Sequence, residues 1–138
     1  MSDVSITAAN VVPASDAQIG TGIAGATITA GQSIQLEASS GTWKLASAAT
    51  TAILAGSGGV AVAVSGASAG QPVSYIQSGT TAIGGTVVKT GIYVVSPTNP
   101  GGIAPIADLG SGNYLSILGY ATTTGILAIT RNATGVTK

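Results

Sequence analysis

Short β-branched runs, each closed by a glycine turn, set the rhythm of this chain. Eight runs read as strands: Ser33–Glu37, Thr42–Leu45, Val60–Val64, Val73–Gln77, Thr86–Val88, Ile92–Ser96, Tyr114–Gly119 and Gly125–Thr130. Several alternate with a period of two. In Val60-Ala61-Val62-Ala63-Val64 the valines share one side, and in Ile34-Gln35-Leu36-Glu37 the apolar pair faces away from the polar pair. That period belongs to a half-buried strand, and many short strands with frequent turn signals point to a sandwich or barrel. The best helical candidate, Ala46–Leu54, is rich in Thr and Ser as well as Ala, and at that length it depends on tertiary packing.

Thr29-Ala30-Gly31-Gln32-Ser33-Ile34 resembles Ser68-Ala69-Gly70-Gln71-Pro72-Val73, with a weaker copy at Lys89-Thr90-Gly91-Ile92-Tyr93. In each, a glycine tolerant of positive φ stands just before a strand, as a tight turn requires. The spacings are unequal, so these are a reused turn and not a solenoid. Ser96–Gly102, with two prolines and two glycines, cannot continue a ladder and reads as a surface loop.

Residues 1–16 alternate apolar and polar through Val4 and Ile6, reach Val11-Val12 and stop at Pro13. They read as an extended arm, either an edge strand of the same domain or a strap onto a neighbour. The glycine-rich Gly20–Gly25 serves as the expected hinge, and residues 17–138 as a single β domain.

Composition narrows the function. Apolar residues make up 45% of the 138 positions and charged residues 6%, against about 25% in ordinary soluble domains. Aromatics are Trp43 and four tyrosines, with no Phe, so the core must be small aliphatics, each burying little area. A thin core with few charges favours stability gained by association. Net charge is zero, and the four bases, Lys44, Lys89, Arg131 and Lys138, are scattered, so no basic patch exists for nucleic acid. The uncharged stretch Leu45–Val88 is broken by Gly, Ser and Pro, and gives no membrane span. The N-terminus shows no basic segment followed by a long apolar block, so no leader is expected.

The chain has no His and no Cys, which removes Ser-His-Asp and Cys-His nucleophiles, imidazole or thiolate metal sites, and disulfides. Its acids, Asp3, Asp16, Glu37 and Asp108, form no pair near in sequence. No catalytic residue, cofactor or metal is expected. Gly20-Thr21-Gly22-Ile23-Ala24-Gly25 matches a dinucleotide fingerprint formally, but the next residues are β-branched and end in a turn, whereas the motif must open a helix. Asn132-Ala133-Thr134 is a glycosylation sequon without a secretory context. Trp43 reads as a half-buried strand aromatic before an exposed interface anchor.

The order of elements carried by Ile28–Ile34 with Gly41–Ala46, Gly59–Ala63 leading into Ala69–Val73, Lys89–Val95 and Leu118–Ala121 resembles the head-decoration, or cement, proteins of tailed bacteriophages. The resemblance covers most of the chain after residue 20 and lies in layout and composition. It implies an all-β, barrel- or jelly-roll-like domain, a homotrimer on the outer capsid surface of a virion assembled in the host cytoplasm, and the major capsid protein as partner. A receptor- or carbohydrate-binding β module of a phage fibre or adhesin is the alternative. On this reading the interface candidates are Val4, Ile6, Val11, Val12, Trp43 and Tyr93. The strand pattern predicts a far-UV circular dichroism spectrum of about 40% strand or more and below about 15% helix, and a dominant helical signal would contradict it.

Overall fold

The computed structural model describes residues 3–37, 40–47, 60–85, 87, 91–123 and 125–137, with side chains as far as residue 130. Strands take up 54% of these residues, and the only helical elements among them are two 3-10 turns, Ala8–Asn10 and Ile106–Asp108. The fold is all-β, as the pattern predicts. The strands are β1 (Val11–Pro13), β2 (Gln18–Ile23), β3 (Ser33–Glu37), β4 (Thr42–Leu45), β5 (Val60–Ala63), β6 (Pro72–Ile83), β7 (Ile92–Val95), β8 (Ile103–Pro105), β9 (Tyr114–Thr123) and β10 (Ile126–Thr137).

They form one antiparallel sheet in the order β4-β3-β5-β6-β10-β9-β7-β8, with β1 and β2 laid end to end along β6. The sheet curls until the residue after β2, Ala24, meets Trp43 of β4 in a parallel bridge, and Gly25 N donates to Trp43 O at 2.7 Å. The first five-strand region thus bends round its own core of Ala24, Ile28, Ile34, Trp43, Ala61 and Val73. A second core holds Val60, Val62, Ile76, Ile83, Val94, Ile103, Leu118 and Leu127.

Strand β5 lies between the two. Its valines enter the second core, while Ala61 and Ala63 enter the first, so all four residues are buried. The half-buried reading of this strand is therefore corrected: the alternation of large and small side chains divides two interiors, not interior from water. Gln35, on the same sheet, is fully buried with neither amide atom hydrogen-bonded, which costs about 1–3 kcal/mol.

The recurring turn has a structural meaning. Ile28 and Ala67 pair antiparallel, each donating its N–H to the other, at 2.8 and 2.9 Å. Thr29 N and Ser68 N are capped by the side chains of Gln32 and Gln71. Gly31 and Gly70 both take φ near +90°. Their N–H groups donate to Ala63 O and Ala24 O, four residues before the opposite member of the Ile28–Ala67 pair. Strand β2 pairs with β6 as β3 pairs with β5. Two β-turn-β units 39 residues apart are thus interlocked about a local two-fold axis.

Several expectations change. Gly20–Gly25 is no hinge, because Gly20 and Gly22 lie within β2. A Cβ on Gly20 would stand 2.8 Å from the Tyr75 ring, and one on Gly22 2.5 Å from the Trp43 indole nitrogen. The glycines that imitate a nucleotide motif give two core aromatics room. Val73–Gln77 extends to the whole of β6, and β10 runs on to Thr137. Of Thr86–Val88 only Val87, a buried residue, is described, and most of Ala46–Leu54 lies outside the described residues.

Residues 3–13 pack on their own chain. Val4 N donates to Ile103 O and Thr7 N to Gly84 O, both at 2.8 Å, while Val11–Pro13 pairs with Thr81–Ile83. Of the arm, Val11–Pro13 forms an edge strand of this sheet. Pro13, lacking an N–H, sits on the outermost strand of that edge, where proline is tolerated and blunts further pairing.

Gly22→Ala tests the close approach on β2. Its methyl must displace a buried indole, so stability should fall by about 1–3 kcal/mol in denaturant titration. An unchanged midpoint would show that Trp43 does not pack there.

Candidate interaction surface

Of the six interface candidates, the structure puts three in the interior. Val11, Trp43 and Tyr93 are buried, and Val4 and Ile6 are half-buried against the second core. Trp43 meets Tyr75 at 4.5 Å between ring centroids, tilted by 42°. As interface residues, Val11, Trp43 and Tyr93 are corrected to buried residues: the two aromatics fill volume that the small aliphatic interior leaves, and Val11 lies on the inward side of β1. Val12 alone is well exposed, at 57%.

Val12 lies on a face that sequence reading missed. Across the sheet it stands opposite Ala82, which stands opposite Ile126. Two residues along, Thr80, Ala128, Tyr120 and Ile92 make a second row over β6, β10, β9 and β7. Side chains directly opposite share a face, and so do residues two apart. The alternate positions, among them Ile83, Thr81, Leu127 and Ala121, are buried. The outward rows are Val12-Ala82-Ile126 and Thr80-Ala128-Tyr120-Ile92. Val12, Tyr120 and Ile92 are exposed, the latter two at 48% and 41%, and the other four members of the two rows are partly covered. All seven side chains are uncharged. The signal was present as Ile92 and Tyr120 at outward positions of two strands, but their adjacency depends on register, which no run of residues declares.

Three of the four acids serve the scaffold. Asp3 accepts from Ser96 Oγ at 2.7 Å and Asn99 Nδ2 at 2.9 Å, joining the arm to the Pro/Gly loop. Glu37 pairs with Lys44 at 3.1 Å on the surface of β3 and β4. Asp16 accepts from Thr80 Oγ1 at 2.9 Å and from Thr80 N at 3.2 Å, where Gly79 takes φ +93° and the β1–β2 edge shifts register. It marks the rim of the apolar face. A cleft of about 260 Å³ lies between the arm, the Thr29–Gln32 turn and the Asn99–Ile103 segment, with no ionisable side chain in its lining.

Among the described residues no three His, Cys, Asp or Glu side chains cluster as metal ligands, and no helix is long and apolar enough to cross a membrane. Compared with family models and with curated proteins, the chain matches none.

The hydrogen bonds from Thr80, its hydroxyl first and its amide second, hold the Asp16 carboxyl below its ordinary pKa of 3.8. A carboxyl depressed on folding adds stability that is full above its unfolded pKa and disappears as pH falls through its folded one. Asp16→Asn should therefore melt below the wild type at roughly pH 7, and the gap should close at roughly pH 2. A gap of constant size would mean that Asp16 contributes nothing through its charge.

Proposed function

We propose that this chain is a structural decoration protein that binds the outer surface of an assembled viral shell as a homotrimer and stabilises it, with the major capsid protein as its partner. The observation that carries this reading is the uncharged face around Val12, Tyr120 and Ile92, held on a sheet with buried residues behind it. Contiguous apolar surface on a small protein marks an interaction site. A rigid sheet presents such a face at little entropic cost, and a tyrosine on it combines contact area with a hydrogen-bonding tip.

The mechanism is linkage. A protein that binds the assembled shell and not its separated subunits stabilises the shell by mass action, by RT ln(1 + [L]/Kd) per site. Repetition over many symmetric sites makes the sum large although each contact is modest. Low charge also suits the role, because copies crowded on one surface do not repel one another. The resemblance in element order to phage cement proteins supports the same reading, as does the assignment of Asp3, Asp16 and Glu37 to scaffold contacts. The receptor- or carbohydrate-binding alternative has less behind it: Trp43 and Tyr93 are buried, and the loop at 96–102 offers only small polar groups.

Purified shells from the particle that carries this protein provide the test. Wild-type protein should co-sediment with them and raise their disruption temperature. Tyr120→Asp and Ile92→Asp, both at exposed positions, should leave the protein's own melting nearly unchanged and weaken shell binding at least tenfold, about 1.4 kcal/mol. Undiminished binding by both variants would remove this face from the function.

A further inference from the structure

The arm's groove is made of absences. A Cβ on Gly84 would stand 2.5 Å from Thr7 O, and one on Gly31 would strike the Ile6 side chain. One on Gly85 would meet Ser5 O and, at 2.9 Å, Val4, and one on Gly102 would overlap the Asp3 carboxylate. Four glycines from three separate parts of the chain thus leave open a slot the width of one extended strand. A slot so shaped is specific for a backbone lying in it, since the groove meets main chain at Ser5 and Thr7 and small apolar side chains at Val4 and Ile6.

Among the described residues, the arm from Asp3 to Thr7 is held to the body by backbone hydrogen bonds at Val4 and Thr7 and by the two side-chain bonds of Asp3. The next residues, Ala8–Asn10, form a single 3-10 turn with no buried residue and no side-chain cap. The bound arm also fails to fill its surroundings, because the 260 Å³ cleft runs beside Val4, Ile6 and Ala8.

From these features we infer that the groove lined by Gly31, Gly84, Gly85 and Gly102 is an intersubunit receptor, and that its occupant in the associated protein is residues 3–7 of a second copy of this chain, exchanged about the Ala8–Asn10 turn. Reciprocal exchange keeps every contact that the arm makes within its own chain, while the open turn and any new contact between the bodies come in addition. The reach is short. The seven steps from Asn10 back to Asp3 span at most about 25 Å, so exchange joins only copies in direct contact. Effective concentration, which is highest between such neighbours, decides between the closed and exchanged forms. Exchange does not depend on what the Tyr120 face docks against.

The absence of cysteine makes the test clean. Asp3→Cys and Asn99→Cys variants, one of them isotope-labelled, are unfolded together, refolded at high concentration and treated with a short thiol-reactive cross-linker. Ser111→Cys, on the exposed Gly110–Asn113 turn, replaces Asn99→Cys in the control for random collision. Mixed Asp3–Asn99 dimers should exceed the control severalfold by mass spectrometry. A single chain carrying both Asp3→Cys and Asn99→Cys reports the fit, and when diluted it should close on itself. Closure of that chain with no excess of mixed dimers would overturn the exchange. Failure of that chain to close would overturn it as well, since the arm would not then lie in the groove.

Discussion

Strand β6 is the member on which the rest of the structure depends. Its 12 residues span about 40 Å and pair with four other strands, β2 and β5 along the first part and β1 and β10 along the second. Val73 serves one core and Ile76 and Ile83 the other, so a single backbone ties two small interiors together. With few aromatics and many valines and alanines, neither core is large. Their joint attachment to one strand lets a thin interior hold a single register. The break at Gly79, braced by Asp16 on Thr80, is where that strand passes from one set of neighbours to the next.

The same strand sets the proposed docking face. Once β6 fixes Thr80 and Ala82 outward, the ladder through β10, β9 and β1 brings Val12, Ile126, Tyr120 and Ile92 outward as well. A slip of one residue would turn all of them inward and put Leu127 and Ala121 into water. The proposed docking surface and the core are thus two faces of one register. The proposed arm exchange uses a different place, the glycine-lined groove, so surface docking and copy-to-copy linkage do not compete for the same residues.

Much of the scaffold was legible in the sequence. Ser33–Glu37 and Thr42–Leu45 match β3 and β4 end to end, because β-branched or alternating runs there are bounded by glycine. The turn at Gly31 was readable as punctuation, yet its pairing with the turn at Gly70 was not, since a two-fold relation is a fact of space. Strand β2 escaped notice because its inward positions are Gly20 and Gly22, which carry no hydrophobic signal; the apolar mass facing them belongs to Trp43 and Tyr75. Strand β8 has three residues and ends in proline. The site was less legible than the fold. Trp43 and Tyr93 looked like anchors because large side chains are rare in this chain, and that rarity is the reason the core takes them. Tyr120 and Ile92 acquire meaning only side by side.

Whether the Val12–Tyr120–Ile92 face lies against an assembled shell is tested most directly by electron cryomicroscopy of decorated particles, at a resolution that shows strands. Density for this protein should stand in trimers on the outer surface, with that face turned toward the capsid subunits and Tyr120 within contact distance of them. Density in which the face points to solvent, or shells that carry none of the protein, would contradict the proposed docking.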